Sequence, residues 1–108
     1  MDRPTPRVNG AKLAQSSPGS TVRLIGKVIS LDAEQALLEA ADGAQVTVKL
    51  MHDSVLSSTF VEVIGKVQSE TSMQELSTLN LGDNIDMEVA NKVVELTHQY
   101  PDVFPPGA

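Results

Sequence analysis

Apolar and polar positions alternate with period two through most of this chain and change to a helical period near its end. From Thr21 onward, Val22, Leu24, Gly26 and Val28 fall on one side of an extended backbone and Arg23 and Lys27 on the other, which predicts a first strand. The apolar residues change side at Ile29 and Leu31, so a bulge is expected there, or a strand passing from one sheet to another. Asp32-Ala33 makes the turn into a second strand over 35–40, which ends at the hairpin signal Asp42-Gly43. In the third strand Val46, Val48 and Leu50 point one way and Gln45, Thr47 and Lys49 the other, before a polar loop at 52–58. A fourth strand over 60–68 places Val61, Val63, Gly65 and Val67 on one face, and a fifth over 73–81 alternates less regularly. Residues 1–20 are rich in Pro, Gly and Ser and read as an arm, with one helical turn at 11–15.

The tetrapeptide Ile-Gly-Lys-Val occurs at 25–28 and again at 64–67, each time with its glycine on the inward face of a valine-rich strand. It is too short for a repeat architecture. A strand that coils around a small barrel needs a position without a side chain where backbones crowd. Five strands with two such glycines, followed by a helix, predict a mainly β fold: a five-stranded Greek-key barrel of the OB type, with an SH3-like barrel as the alternative by pattern. The domain reading is an arm at 1–20, a barrel at 21–82, a helix at 83–100 and a tail at 101–108.

The helix carries more apolar surface than one packing partner covers. Ile85, Val89, Val93, Leu96 and Tyr100 form one stripe, and Met87, Ala90 and Val94, with Thr97 at the margin, form a second beside it. Together they occupy roughly 200° of the circumference, against the somewhat more than 100° of a helix resting on a single core. Glu88, Asn91, Lys92, Glu95, His98 and Gln99 are left to face water. Gly82 with Asp83 or Asn84 supplies a break and an N-cap, Asp86 and Glu88 suit the positive helix end, and Pro101 is the stop. Exposing one stripe forgoes on the order of 1.5 to 3 kcal/mol per side chain, so either the chain's own body or a partner must cover it. Which stripe does which is open at this level.

Composition narrows the partner. The chain has 108 residues, enough for one domain with a modest core, and no cysteine, which excludes disulfides and thiolate metal sites and fits a reducing compartment. No apolar run approaches a membrane span, and the opening Asp2-Arg3-Pro4 run lacks the apolar core of a signal peptide. Eight Lys and Arg stand against fourteen Asp and Glu for a net charge of -6, and the aromatics are Phe60, Tyr100 and Phe104. A nucleic-acid groove needs cations, and a single-strand binder also needs aromatic platforms. This chain is short of both.

Catalytic patterns are missing. His52-Asp53 lacks a nucleophile or third partner, and His98 falls on the helix's polar face near Glu95; two separate histidines do not make a metal site. No phosphate-binding glycine loop is present. The expectation is a protein that is not an enzyme and takes no cofactor, metal or small-molecule substrate.

Several segments, in order, match one family pattern: Pro6-Arg7-Val8-Asn9 with Leu13-Ala14-Gln15; Val22-Arg23-Leu24-Ile25-Gly26-Lys27-Val28; Phe60-Val61-Glu62-Val63-Ile64-Gly65-Lys66-Val67; and the closing run from Leu81-Gly82 through Asn91-Lys92-Val93-Val94 to His98-Gln99-Tyr100-Pro101 and Phe104-Pro105. In this order and spacing they resemble the small subunit of eukaryotic replication protein A, the replication factor A protein 3 family. The resemblance implies an OB-fold barrel with a C-terminal helix, in a nuclear heterotrimer with a large and a middle subunit that binds single-stranded DNA in replication, recombination and repair. It also implies that the helix joins one helix from each partner in a three-helix bundle, and that DNA contact lies mainly in those partners. The candidate partner face is then Ile85, Met87, Val89, Ala90, Val93, Val94, Leu96 and Tyr100. The rival reading is a domain that grips single-stranded DNA itself through Arg23, Lys27, Lys49, Lys66 and Phe60; a third is self-association through the apolar arc.

Overall fold

The computed structural model describes residues 5–100; residues 1–4 of the arm, the tail at 101–108 and the expected helix stop at Pro101 lie outside them. The described chain runs β1 (Arg7–Val8), α1 (Gly10–Gln15), β2 (Thr21–Leu31), β3 (Gln35–Ala40), β4 (Gln45–Lys49), β5 (Phe60–Ser69), β6 (Ser72–Gly82) and α2 (Met87–Gln99). β2 pairs antiparallel with both β3 and β5, β3 with β4 and β5 with β6, while the parallel pair β4–β6 completes the ring. That order, β2-β3-β4-β6-β5 and back to β2, is the OB-type ring rather than an SH3-like one.

Alternation dictates the core. Val22 and Leu24, Ala36, Leu38 and Ala40, Val46 and Val48, Val61, Val63 and Val67, and Met73 are all buried inside the ring. Both expected kink glycines lie in it. A Cβ on Gly65 would come within 2.2 Å of the Gln74 carbonyl oxygen, and one on Gly26 within 3.0 Å of Leu38 Cβ. The pairing of β5 with β6 slips between Ile64 and Gly65, so the absent side chain coincides with a bend. The slip between Val28 and Ser30 against β3 is the bulge expected at Ile29, and it leaves Ile29 and Leu31 exposed.

Two features depart from the sequence expectations, and the irregularity expected of the fifth strand finds its cause. The segment read as an arm carries a sixth strand: β1 pairs in parallel with Arg23 and Leu24, the part of β2's edge that β3 leaves uncovered. Val8 and Leu13 enter the barrel core, so this segment is part of the packed body. The irregularity of the fifth predicted strand, β6, comes from Glu75, a carboxylate at a buried position. It is satisfied there by the Met51 amide at 2.9 Å, the Ser54 hydroxyl at 2.7 Å and the Thr78 hydroxyl, and so holds the loop that follows β4. Finally, α2 begins at Met87 with Asp86 as its N-cap, not at Asp83 or Asn84.

Candidate functional site

Gly82, with φ at 96°, turns the chain out of β6. Asp83 accepts the Thr59 amide at 2.8 Å, and this bond, with a second from the Thr59 side chain, holds its carboxyl below the ordinary carboxylate value. Asp86 then accepts the amides of Glu88 at 3.1 Å and Val89 at 3.3 Å, satisfying donors that the first helical turn cannot pair internally. Thr59 and Asp86 thus set where the helix leaves the barrel and where it starts.

The two apolar stripes have separate fates. Val94 is buried, and Met87, Ala90 and Thr97 on the same stripe are partly covered by the chain's own body. Val89, Val93, Leu96 and Tyr100 are 41–55% exposed, with Ile85 partly covered at the helix entry. Val94 does not join the contiguous barrel core, so the helix lies on the outside of the ring, beside β1. Roughly half of each exposed side chain is still in water, so covering the four could contribute about 4 kcal/mol before ordering costs.

Two residues assigned to the polar face also hold the helix on the body, His98 while remaining exposed and Asn91 partly covered. Asn91 Oδ1 accepts from Asn9 Nδ2 at 2.9 Å, and His98 Nε2 donates to the Arg7 carbonyl at 2.7 Å. Arg7 itself bonds through Nε to the nearly buried Glu62 at 3.3 Å. Periodicity alone misses these residues because their partners lie more than fifty residues away in sequence. The one local signal was Asn9, a good cap residue immediately before the α1 turn, where its Oδ1 accepts the Lys12 amide.

The residues considered for DNA contact do not form one patch. Arg23 lies between β1 and β5, with its backbone amide on the Pro6 carbonyl at 2.9 Å and its Nε buried. Lys27 and Phe60 are register partners on β2 and β5, and Glu39 of β3 faces Lys27 from the other side. Lys49 and Lys66 flank Gln74 across three strands. Phe60 and Lys66 are six residues apart on one strand, so the two cationic positions are separated by roughly 20 Å.

A groove of about 360 Å³ opens between the loop after β4 and β6, lined in part by Asp53, Ser54, Val55, Glu75 and Leu76. No histidine or lysine lines it, and the Ser54 hydroxyl donates to the Glu75 carboxylate rather than to the imidazole or amine that usually activates such a group. Among the described residues no group of three or more His, Asp or Glu is placed to hold a metal ion, and no helix is long and apolar enough to cross a membrane.

Comparison with known proteins agrees with this geometry. The chain is similar to Replication factor A protein 3 of Schizosaccharomyces pombe, with 35% identity over 105 residues, 96% of this chain and 98% of that protein. It is similar to a Replication protein A 14 kDa subunit of Arabidopsis thaliana, with 30% identity over 91% of this chain and 92% of the other. The solved structure of U. maydis Replication protein A bound to ssDNA contains a chain that superposes with a TM-score of 0.89 at 34% identity, over 96% of this chain and 98% of that one. Residues 1–104 match the model of the family described as Replication factor A protein 3. With the OB-type ring, the outward helix and these near full-length matches together, the chain belongs to the replication factor A protein 3 family.

Proposed function

We propose that this protein is the small, structural subunit of a heterotrimeric replication protein A. In this reading α2 joins one helix of the large and one of the middle subunit in a three-helix bundle, and the complex acts on single-stranded DNA in nuclear replication, repair and recombination. The chain performs no catalysis. The observation that carries the reading is the outward stripe Val89, Val93, Leu96 and Tyr100, a row of apolar side chains that the described residues leave 41–55% exposed. Its spacing of four, three and four residues is the knob spacing of helix-on-helix packing, so a helix is the shape it fits. The other stripe, Met87, Ala90 and Val94, serves this chain's own packing.

DNA contact in this reading lies mainly with the partners. The net charge of -6, the split between the Lys27 and Lys49–Lys66 positions and the covered Arg23 all weigh against direct grip.

The test is co-purification with the middle subunit. Val93→Asp and Leu96→Asp abolish it while leaving the barrel folded, because their side chains are turned away from the body. Normal assembly of a folded Asp variant would overturn the bundle. A titration of labelled oligonucleotide with the isolated chain at low salt checks the division of labour; micromolar, steeply salt-dependent binding would return DNA contact to this subunit.

A further inference from the structure

α2 rests on the chain's own body through a narrow seam: Val94 is its one fully buried apolar residue, and Met87, Ala90 and Thr97 are only partly covered. Such a seam resists removal of the helix but does little to set its roll about its own axis. Roll is what matters for a partner, because a turn of one residue, about 100°, would carry the exposed stripe off its target.

Two polar contacts supply what the seam lacks. Asn91, Val94 and His98 follow one line along α2 at intervals of three and four residues, with the buried valine between two anchored ends. The anchors, Asn91 on Asn9 and His98 on the Arg7 carbonyl, are about 10 Å apart along the axis. Two fixed points on one side of a helix set both its direction and its roll. Both belong to the N-terminal segment.

That segment is itself held on three sides. β1 pairs with β2, Arg7 bonds Glu62 of β5, and both carboxylate oxygens of Asp42, in the β3–β4 hairpin, accept the Gly10 and Ala11 amides at 3.0 Å. Gly10 lets the hairpin come this close, since a Cβ there would fall 2.2 Å from Ala44 Cβ. Asn9 is the junction. Its Oδ1 caps α1 on the Lys12 amide while its Nδ2 reaches Asn91, whose own Nδ2 turns toward Glu95 at 3.3 Å.

We infer that Asn9 is a positioning residue for assembly: through Asn91 it transfers the barrel's orientation to α2 and so sets the direction in which Val89, Val93 and Leu96 are presented. This rests on the bundle reading for its consequence, but the positioning itself is measurable in this chain alone.

Asn9→Ser separates the two roles of Asn9, since a serine hydroxyl still caps α1 but is too short to reach Asn91. In the full chain, amide hydrogen exchange is expected to quicken about five- to tenfold across 91–99, the worth of one lost hydrogen bond, while Val63 and other barrel amides keep their rates. Affinity for the middle subunit is expected to fall by a similar factor. Asn91→Asp in a Glu95→Gln background, which keeps an acceptor for Asn9 Nδ2 without setting two carboxylates side by side, restores both readouts relative to Asn91→Ala in the same background. Unchanged exchange over 91–99 in Asn9→Ser overturns the positioning role. Quickened exchange with unaltered affinity overturns its bearing on assembly. The bundle reading fails separately, if Val93→Asp assembles normally.

Discussion

Val93 and Val94 are neighbours in sequence with opposite surroundings: Val94 is 2% exposed and Val93 is 41% exposed. A rotation of about 100° between successive helical residues is enough to place one against the barrel and the other in solvent. The pair therefore separates the side of α2 that packs on its own chain from the side left in solvent.

In the isolated chain, Val94→Ala should lower stability by about 1–2 kcal/mol through lost burial and a residual cavity. Val93→Ala should stay within about 0.5 kcal/mol, as at an ordinary surface position. Urea denaturation of the two variants checks this, and in the presence of the middle subunit Val93→Ala should become the more damaging of the two.

The two barrel glycines should differ in their tolerance of a methyl group. At Gly65 the methyl would meet the Gln74 backbone, which cannot turn aside, so Gly65→Ala should cost about 3 kcal/mol or prevent folding. At Gly26 the approach is looser, with Leu38 Cβ at 3.0 Å and the Glu39 carbonyl oxygen at 3.3 Å, so a shift of a few tenths of an ångström between the strands suffices and Gly26→Ala should cost less, about 1–2 kcal/mol. Thermal or urea unfolding of both variants orders them.

Glu75 predicts a local effect as well as a global one. Glu75→Ala removes the acceptor for the Met51 amide and the Ser54 and Thr78 hydroxyls, which should destabilise the fold by about 3 kcal/mol and open the loop at 51–55 to limited proteolysis. Glu75→Gln keeps an acceptor for the Met51 amide and should lose less. Equal protection of that loop in wild type and Glu75→Ala would contradict the pinning.

Asp83 sets a pH dependence. Its pKa in the folded chain lies below the ordinary 3.8 because the Thr59 amide and side chain bond the charged form. A depressed carboxylate pKa stabilises the fold fully above the unfolded value and loses that contribution as pH falls through the lower folded value. Asp83→Ala should therefore unfold at lower urea than wild type at neutral pH, and the gap between their midpoints should narrow as pH drops below 3.8. A gap that persists unchanged in acid would exclude the charged bond as its source.

The groups that periodicity cannot see are the ones whose partners are remote. The strands were legible because each inward valine announces itself two residues from the next, and the hairpin at Asp42-Gly43 because glycine permits the φ of 88° seen there. Glu75 reads as an interruption of its strand, since nothing local shows that Met51, Ser54 and Thr78 will converge on it. The bonds of Asn91 and of the still exposed His98 are hidden for the same reason, their partners being Asn9 and Arg7 at the other end of the chain.

By itself, the sequence determined the barrel's alternating core, its two crowded glycines, and a helix with more apolar arc than one surface covers. These follow from local geometry, because the period of a strand or helix is a property of the backbone that each residue's neighbours reveal. Only the tertiary structure decided that Val94 faces inward and Val93 outward, and that Val8 and Leu13, in the segment read as an arm, belong to the packed core. That choice depends on where β1 lies on β2 and on what Asn9 and Arg7 can reach, and contacts between chain ends leave no periodic trace.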